Sequence, residues 1–141
     1  MAVNMAGVVV HGVVHIVSAH AAIAANIAAL RASLFKHEEP PQVHSVDPAP
    51  GVTRVWEYAG GGTSGLLAVH VALGLGYDNI ILAGIPMDND SRFYDPPGPK
   101  SYGAESNRDW WIKSLPLMNG KVRSCSGWTR SLLGEPRGAA V

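Results

Sequence analysis

Residues 58–88 decide the fold, and they read YAGGGTSGLLAVHVALGLGYDNIILAGIPMD. Three successive glycines at positions 60–62 precede an apolar stretch rich in alanine and leucine, which Gly74-Leu75-Gly76 closes. Residues 79–84 then form an almost unbroken apolar run, which is typical of a parallel strand covered on both faces. The pattern predicts a strand end, a tight glycine loop, a helix, a turn and a buried strand. It therefore indicates an α/β fold, a mostly parallel sheet with helices on both faces.

The rest of the chain supplies further elements for such a sheet. Strands are predicted at residues 13–18, 42–46, 53–58 and 121–125, and helices at residues 19–35, 104–115 and 128–133. In the first helix Ile23, Ile27, Leu30 and Leu34 recur at helical spacing, so this stripe is expected to pack on the sheet. Residues 89–103, rich in Pro, Gly, Asp and Ser, form a long irregular loop of the kind that often serves as a lid. Residues 137–141 are expected to fray.

Length and composition set the broad class. A chain of 141 residues is expected to form a single domain, residues 1–141. Its 11 basic and 11 acidic residues cancel and form no long basic run, so a nucleic-acid partner is not expected. The single cysteine excludes an internal disulfide. Residues 8–30 are strongly apolar, but they lack a basic leader and carry several polar groups, which indicates a cytoplasmic protein without a membrane span.

The start of the predicted central helix is the strongest candidate for a binding site. Thr63, Ser64 and Gly65 follow the glycine run directly. Glycines let the backbone approach a ligand closely, and the first turn of a helix offers free N–H groups to an anion. The functional interpretation is contact with the phosphate or ribose of a nucleotide. The structural alternative is a capped helix that follows a glycine turn.

A family resemblance rests on the same stretch. Residues 63–88, TSGLLAVHVALGLGYDNIILAGIPMD, resemble the core motif of the Rossmann-like sialyltransferases of bacterial surface glycans. They also resemble related phage and archaeal proteins of the pterin-diphosphokinase-like group, in which a Ser-Gly pair opens the helix and an LGY turn ends it. Residues 122–136, VRSCSGWTRSLLGEP, are similar to the closing segment of phage-encoded members. The resemblance implies a Rossmann-like fold and a nucleotide or nucleotide-sugar ligand.

The resemblance also implies that an element is missing at the N-terminus. In these families a first strand and a Gly-x-Gly-Pro-Ser-type loop precede a strand that ends in asparagine, as Ala2-Val3-Asn4 does here. That strand and loop, half of the family's nucleotide site, do not occur in this sequence. The chain is then truncated at its N-terminus, or it works without the loop. A sheet without a central strand exposes an edge, so we expect homo-oligomers through the N-terminal strand region (residues 3, 8–10 and 13–17) or marginal stability.

Further candidate site residues follow predicted strands. Ligands of open parallel sheets bind outside the carboxyl ends of the strands, where Asn4 and Ser18 lie in the prediction. By resemblance, Asn4 matches a nucleotide-contacting asparagine and Ser18 falls near a second one. Ordinary hydrogen bonding at a strand end is the alternative for Ser18. Asp88 is predicted at the same edge, where it could contact a ribose, a metal or the backbone of a lid.

Two residues carry the catalytic hypothesis. In the sialyltransferases, tyrosines of the long loop stabilise the leaving phosphate, and Tyr94 is the better match here; surface packing is its alternative. The family's catalytic base is a histidine after that loop. No histidine follows His70, so Glu105 is the candidate base. Two functions stay open: glycosyl transfer from a nucleotide donor, or a non-catalytic, phage-derived accessory protein that keeps the fold.

Other kinds of site are excluded by spacing. No Lys-Ser or Lys-Thr pair follows the glycines, so there is no Walker loop. The segment Gly62-Thr63-Ser64-Gly65-Leu66 lacks the second glycine of a nucleophile elbow. His11, His15 and His20 lie in a strand-like segment, where residues four apart are too far from each other to chelate one ion easily, and no acidic residue lies among them. Neither a metal nor a cofactor is therefore expected.

Overall fold

The computed structural model describes residues 1–61, 63–88 and 104–138. The predicted loop at residues 89–103 and the last three residues of the predicted tail lie outside this part. The chain divides into two compact units, Met1–Leu75 and Gly76–Val141. Both contain helices and parallel strands, which confirms a mixed α/β fold.

The first unit is built on a four-stranded parallel sheet. Its strands are β1 (Ala2–Val3), β2 (His15–Val17), β3 (Gln42–Ser45) and β4 (Arg54–Val55), and they lie side by side in chain order. All three neighbouring pairs are parallel. The strands at residues 13–18 and 42–46 were predicted in the right places. Of the strand predicted at residues 53–58, only Arg54–Val55 is paired.

Helices cover both faces of this sheet. The helices α1 (Ala6–Val9), α2 (Ala21–Leu34) and α3 (Ser64–Gly74) belong to the first unit. Ile16 packs with residues of α1 and α2, whereas its neighbour Val17 packs with residues of α3. Successive residues of a strand point to opposite faces. It follows that α1 and α2 lie on one face and α3 lies on the other.

Two expectations about the N-terminal region are wrong. Val8 and Val9 belong to a short helix rather than to a strand region. The buried residues of α2 are Ala24, Ile27 and Arg31, and only Ile27 belongs to the predicted packing stripe. The remaining stripe residues, Ile23, Leu30 and Leu34, are 41%, 44% and 59% exposed.

Arg31 explains why α2 turns this way. Its guanidinium Nη1 donates to the carbonyl oxygens of Gly7 and Val10, both at 2.7 Å, and Nη2 pairs with Glu38. The arginine therefore caps the end of α1, where unpaired carbonyls favour a cation. A charged side chain occupies the buried arc of α2 because another helix supplies its partners.

The second unit contains a two-stranded parallel sheet. Strands β5 (Ile80–Leu82) and β6 (Val122–Ser124) pair directly. Its helices are α4 (Arg108–Lys113), α5 (Leu115–Met118) and α6 (Gly127–Leu133), and a 3-10 turn at Glu105–Asn107 precedes α4. The helix predicted at residues 104–115 is thus divided. Ile81 is 52% exposed, so β5 is not covered on both faces as predicted.

None of the helices in the described ranges has the length and apolar character needed to cross a membrane.

Candidate functional site

Three polar residues lie in a row at the carboxyl edge of the first sheet, where strands β1 to β3 end. The ladder extends one step beyond the strands, because the Asn4 N–H donates to Val17 O and the Ser18 N–H donates to His44 O, both at 3.1 Å. This register places Asn4, Ser18 and Ser45 next to one another. The sequence predicted Asn4 and Ser18 at strand ends, and the structure places both there.

The first turn of α3 is attached to this edge. The backbone N–H of Ala19, which follows Ser18, donates to Ser64 Oγ at 3.0 Å. Ser64 is the first residue of α3, so the bond holds the helix N-terminus beside the end of β2. The N-terminus of a helix carries a partial positive charge and N–H groups without an acceptor inside the helix. The edge is therefore suited to an anion.

Thr63 and Gly65 flank this bond. Thr63 is the N-cap of α3, and its Oγ1 accepts the Leu66 N–H at 3.4 Å. Ser64 and Gly65 are buried in the first turn. The cap is the structural role that the sequence allowed for Thr63. The cap takes up the Leu66 N–H, and the N–H groups of Ser64 and Gly65 precede it in the same turn.

The start of α2 lies at the same edge. Ser18 Oγ accepts the N–H of His20 and donates to the His20 carbonyl, each at 3.2 Å. His20 is the N-cap of α2, and its side chain makes no capping bond. The starts of α2 and α3 are thus joined through residues 18–20. The positive ends of the dipoles of α2 and α3 therefore lie close together.

Two polar atoms at this edge have no hydrogen-bond partner. Within the described residues, the buried Asn4 Oδ1 and Ser45 Oγ are both unpaired. Ser45 is fully buried, and Asn4 adopts a left-handed backbone conformation with φ of 49°. Leaving a buried polar group unpaired costs about 1–3 kcal/mol, and such groups need an explanation. The sequence did not single out Ser45, which lies one residue before the end of the strand predicted at residues 42–46.

Asp88 and Glu105 belong to the second unit and meet at one arginine. Arg108 Nη2 lies 3.1 Å from Asp88 Oδ1 and 3.8 Å from Glu105 Oε1. The same guanidinium donates from Nε and Nη2 to the Met87 carbonyl, at 3.1 and 2.9 Å. Arg108 was missed by sequence analysis, and the signal was its position three residues after Glu105. The Glu105 side chain is 61% exposed.

Asp88 also lies against the start of α6. A Cβ at Gly127 would overlap Asp88 Oδ2 and Pro86, and Gly127 has φ of 60°, so only glycine fits. Thr129 binds the preceding loop as well: its backbone N–H donates to the Pro86 carbonyl and its hydroxyl to the Ile85 carbonyl. The segment that carries Asp88 is thereby fixed. Tyr94 lies outside the described residues.

A chain of hydrogen bonds links two histidines and a tryptophan in the first unit. Trp56 Nε1 donates to His44 Nδ1 at 2.9 Å, so His44 carries its own proton on Nε2. That nitrogen lies 3.0 Å from His15 Nδ1, which accepts. Burial, followed by the charges of His15 and Arg54, lowers the pKa of His44 to about 4. Burial also lowers the pKa of His15. Both histidines are therefore neutral near pH 7.

His11, another of the three histidines considered for a metal, has a different partner. His11 Nδ1 lies 3.0 Å from Glu38 Oε1, on the side of the protein where Arg31 caps α1. In the ranges that the structure describes, no three His, Cys, Asp or Glu side chains are arranged to hold a metal ion.

The structure thus brings the predicted residues together in two groups. Asn4, Ser18, Thr63, Ser64 and Gly65 lie at the carboxyl edge of the first sheet. Asp88 and Glu105 lie beside Arg108 in the second unit.

Comparisons with protein-family models, with curated proteins and with solved structures give no match for this chain.

Proposed function

We propose that the carboxyl edge of the first sheet binds the phosphate of a nucleotide or nucleotide sugar. The observation that carries the proposal is the Ala19–Ser64 hydrogen bond, which holds the start of α3 beside Asn4, Ser18 and Ser45. Phosphate would accept hydrogen bonds from the first-turn N–H groups and gain from the helix dipole. The unpaired Asn4 Oδ1 would accept from a hydroxyl or amino group of the ligand, such as a ribose hydroxyl.

We assign the fold to the Rossmann-like class on related grounds. Helices α1 and α2 cover one face of the first sheet, whereas α3, which follows the last strand of that sheet, returns across the other face. Ligands of open α/β sheets bind outside the carboxyl ends of the strands. The fold class therefore supports the same edge as the polar atoms do.

Glycosyl transfer is the activity that the family resemblance adds to this binding site. In that mechanism the ligand is the nucleotide-sugar donor, Tyr94 assists the leaving phosphate, and Glu105 takes the proton of the acceptor hydroxyl. Asp88 would hold a ribose or order the loop after it. This part of the proposal rests on the resemblance of residues 63–88.

One observation favours the alternative, a binding protein without catalysis. Asp88 and Glu105 share the Arg108 guanidinium, so the candidate base already has a charged partner within the protein. Accessory function therefore stays the second candidate, and donor hydrolysis by the full chain distinguishes the two.

The binding proposal can be tested with two matched substitutions. Asn4→Gly removes the side-chain amide and keeps the left-handed backbone, which glycine adopts without strain. Asn119→Gly is the control, because Asn119 has φ of 43° in the second unit. Calorimetric titration with nucleoside monophosphates and nucleotide sugars should show binding to the natural chain. Loss of one hydrogen bond predicts affinity about tenfold weaker for Asn4→Gly.

The control variant should bind as the natural chain does. If no nucleotide binds to the folded chain, or if both glycine variants bind equally well, the proposed site is wrong.

A further inference from the structure

The start of α2 has no side-chain cap. Its N-cap residue, His20, makes no capping bond with its side chain, and the first turn contains no acidic residue. The first hydrogen bond inside the helix runs from the Ala24 N–H to the His20 carbonyl, so the N–H groups of residues 21–23 have no acceptor within the helix. At the start of α3, Thr63 takes up one such group. The start of α2 therefore combines these N–H groups with a partial positive charge.

The hydroxyl of Ser45 lies on the face of the sheet that α2 covers. Val43 packs in one cluster with Ala24 of α2, and Ser45 lies two residues further along the same strand. Residues two apart in a strand point to the same face. Ser18, the neighbour of Ser45 in the ladder, bonds residue 20 through its own hydroxyl at 3.2 Å. Ser45 therefore points to the side of the sheet where the first turn of α2 begins.

The two unpaired atoms at this edge differ in the ligand groups that they can bind. Asn4 Oδ1 and Ser45 Oγ are both without a partner among the described residues. A carbonyl oxygen only accepts hydrogen bonds, so Asn4 Oδ1 cannot bond an oxygen of a phosphate. A serine hydroxyl also donates, and rotation about its Cα–Cβ bond directs the proton. Ser45 is thus suited to a phosphate, and Asn4 to a hydroxyl of the ligand.

We propose that the ligand of this edge carries a diphosphate, with one phosphate at the start of α3 and the second at the start of α2 beside Ser45. The inference rests on the proposed function and names its ligand class, a nucleoside diphosphate that is free or linked to a sugar. The Ala19 N–H donates to Ser64 Oγ at 3.0 Å, and α2 begins two residues after Ala19. Two residues span at most about 7 Å, a separation that two linked phosphates can bridge.

Two features of the helices support a second phosphate. A single phosphate at α3 leaves the start of α2 and the Ser45 hydroxyl without a ligand. Neither α2 nor α3 has an acidic residue in its first turn, so neither start repels an anion. Because α2 and α3 cover opposite faces of the sheet, the diphosphate would cross the edge at residues 18–20.

The first test compares inorganic phosphate with pyrophosphate by calorimetric titration of the full chain at one ionic strength. Pyrophosphate should bind at least about tenfold more tightly, since it gains the hydrogen bonds of the second helix start. A nucleoside diphosphate should exceed the monophosphate by a similar factor. Equal affinities would overturn the diphosphate inference and leave the proposed phosphate site at α3 in place. Absence of binding for every phosphate compound would contradict both.

Two matched substitutions locate the second phosphate. Ala22 and Ala29 are both exposed, and their spacing of seven residues places them on the same side of α2. Ala22→Glu puts a carboxylate into the first turn, where the helix dipole favours it and the fold should not be weakened. It should remove most of the preference for pyrophosphate and change phosphate affinity by less than about threefold. Ala29→Glu adds the same charge about 10 Å further along the helix and should bind as the natural chain does.

Ser45→Ala tests the hydroxyl separately. It should weaken pyrophosphate binding about tenfold and leave phosphate binding unchanged, because the single phosphate lies at α3. Circular dichroism verifies that each variant is folded. A preference for pyrophosphate that persists in both Ala22→Glu and Ser45→Ala would show that it arises elsewhere in the chain, and it would overturn the inference.

Discussion

Ser45 and Ser124 occupy equivalent positions in the two sheets but have different environments. Each is the last residue of its strand, and each is fully buried. Ser124 Oγ lies 2.8 Å from Thr129 Oγ1 and also bonds residue 126, whereas Ser45 Oγ has no partner among the described residues. The difference shows that burial alone does not identify a structural serine. The Ser124 hydroxyl is bonded within the fold, whereas the Ser45 hydroxyl is buried without a partner in the part of the chain that the structure describes.

Substitution by alanine should therefore have different consequences for stability at the two positions. Ser124→Ala removes the hydrogen bonds that Ser124 Oγ makes with Thr129 Oγ1 and with the backbone of residue 126, and it should lower the free energy of unfolding by about 1–3 kcal/mol. Ser45→Ala removes an unpaired group and should change it by less than about 0.5 kcal/mol, or raise it. Urea denaturation of the ligand-free protein measures both. Equal losses for the two variants would show that Ser45 already has a structural partner.

His44 makes the stability of the first unit depend on pH. Its pKa is about 4 in the folded protein and ordinary, near 6.5, in the unfolded chain, so the unfolded chain binds more protons between these values. The stabilisation is complete above pH 6.5 and is lost as the pH falls towards 4. The loss attributable to His44 is at most about 1.4 kcal/mol per pH unit.

Denaturation series from pH 7 to pH 4.5 test this dependence. His44→Gln should flatten the pH profile, because the residue that titrates between the two states is gone. The same substitution at the exposed His20, outside the hydrogen-bond chain, is the control. If the pH profile of stability is the same for His44→Gln as for the natural chain, His44 is not the residue that makes stability depend on pH.

At the scale of elements, α1 and α2 depend on a single side chain. Arg31 joins the carbonyls at the end of α1 to Glu38, which follows α2. Removal of one partner of a buried ion pair leaves the other groups unsatisfied. Arg31→Leu should therefore destabilise the protein by about 3–5 kcal/mol.

Arg54→Leu is the matched control in the same unit. Arg54 is exposed and lies over the Trp56 ring at 4.1 Å, a contact worth about 0.5–1 kcal/mol at such a site. Thermal or urea unfolding compares the two variants. If Arg31→Leu costs no more than Arg54→Leu, the capping role of Arg31 is wrong.

The helices and strands also show how much of the fold could be predicted from the sequence. The helix after the glycine run, its Thr63 cap and the strands at residues 13–18 and 42–46 were predictable, because caps, apolar runs and glycines are local signals. The orientation of α2 was not. Periodicity identified an apolar arc, but burial of Arg31 depends on carbonyls of α1 that are remote in sequence. Ser45 was missed for a similar reason, since its lack of a partner is a property of the packed sheet.

At the scale of the whole molecule, the central claim is that one edge of the first sheet binds a phosphate-bearing ligand. The two helix starts, the Ala19–Ser64 bond and two unpaired polar atoms all lie at that edge. Activity, donor and acceptor all depend on this claim, because a transferase without a donor site cannot act.

Amide chemical-shift mapping by NMR tests this claim most directly. The natural chain is titrated with a nucleoside monophosphate and, separately, with inorganic phosphate. With the nucleotide, the largest shift changes are expected at Asn4, Ala19, Ser45, Ser64 and Gly65, and phosphate alone should affect Ala19, Ser64 and Gly65. Shift changes confined to other parts of the chain, or none at millimolar nucleotide, would contradict it.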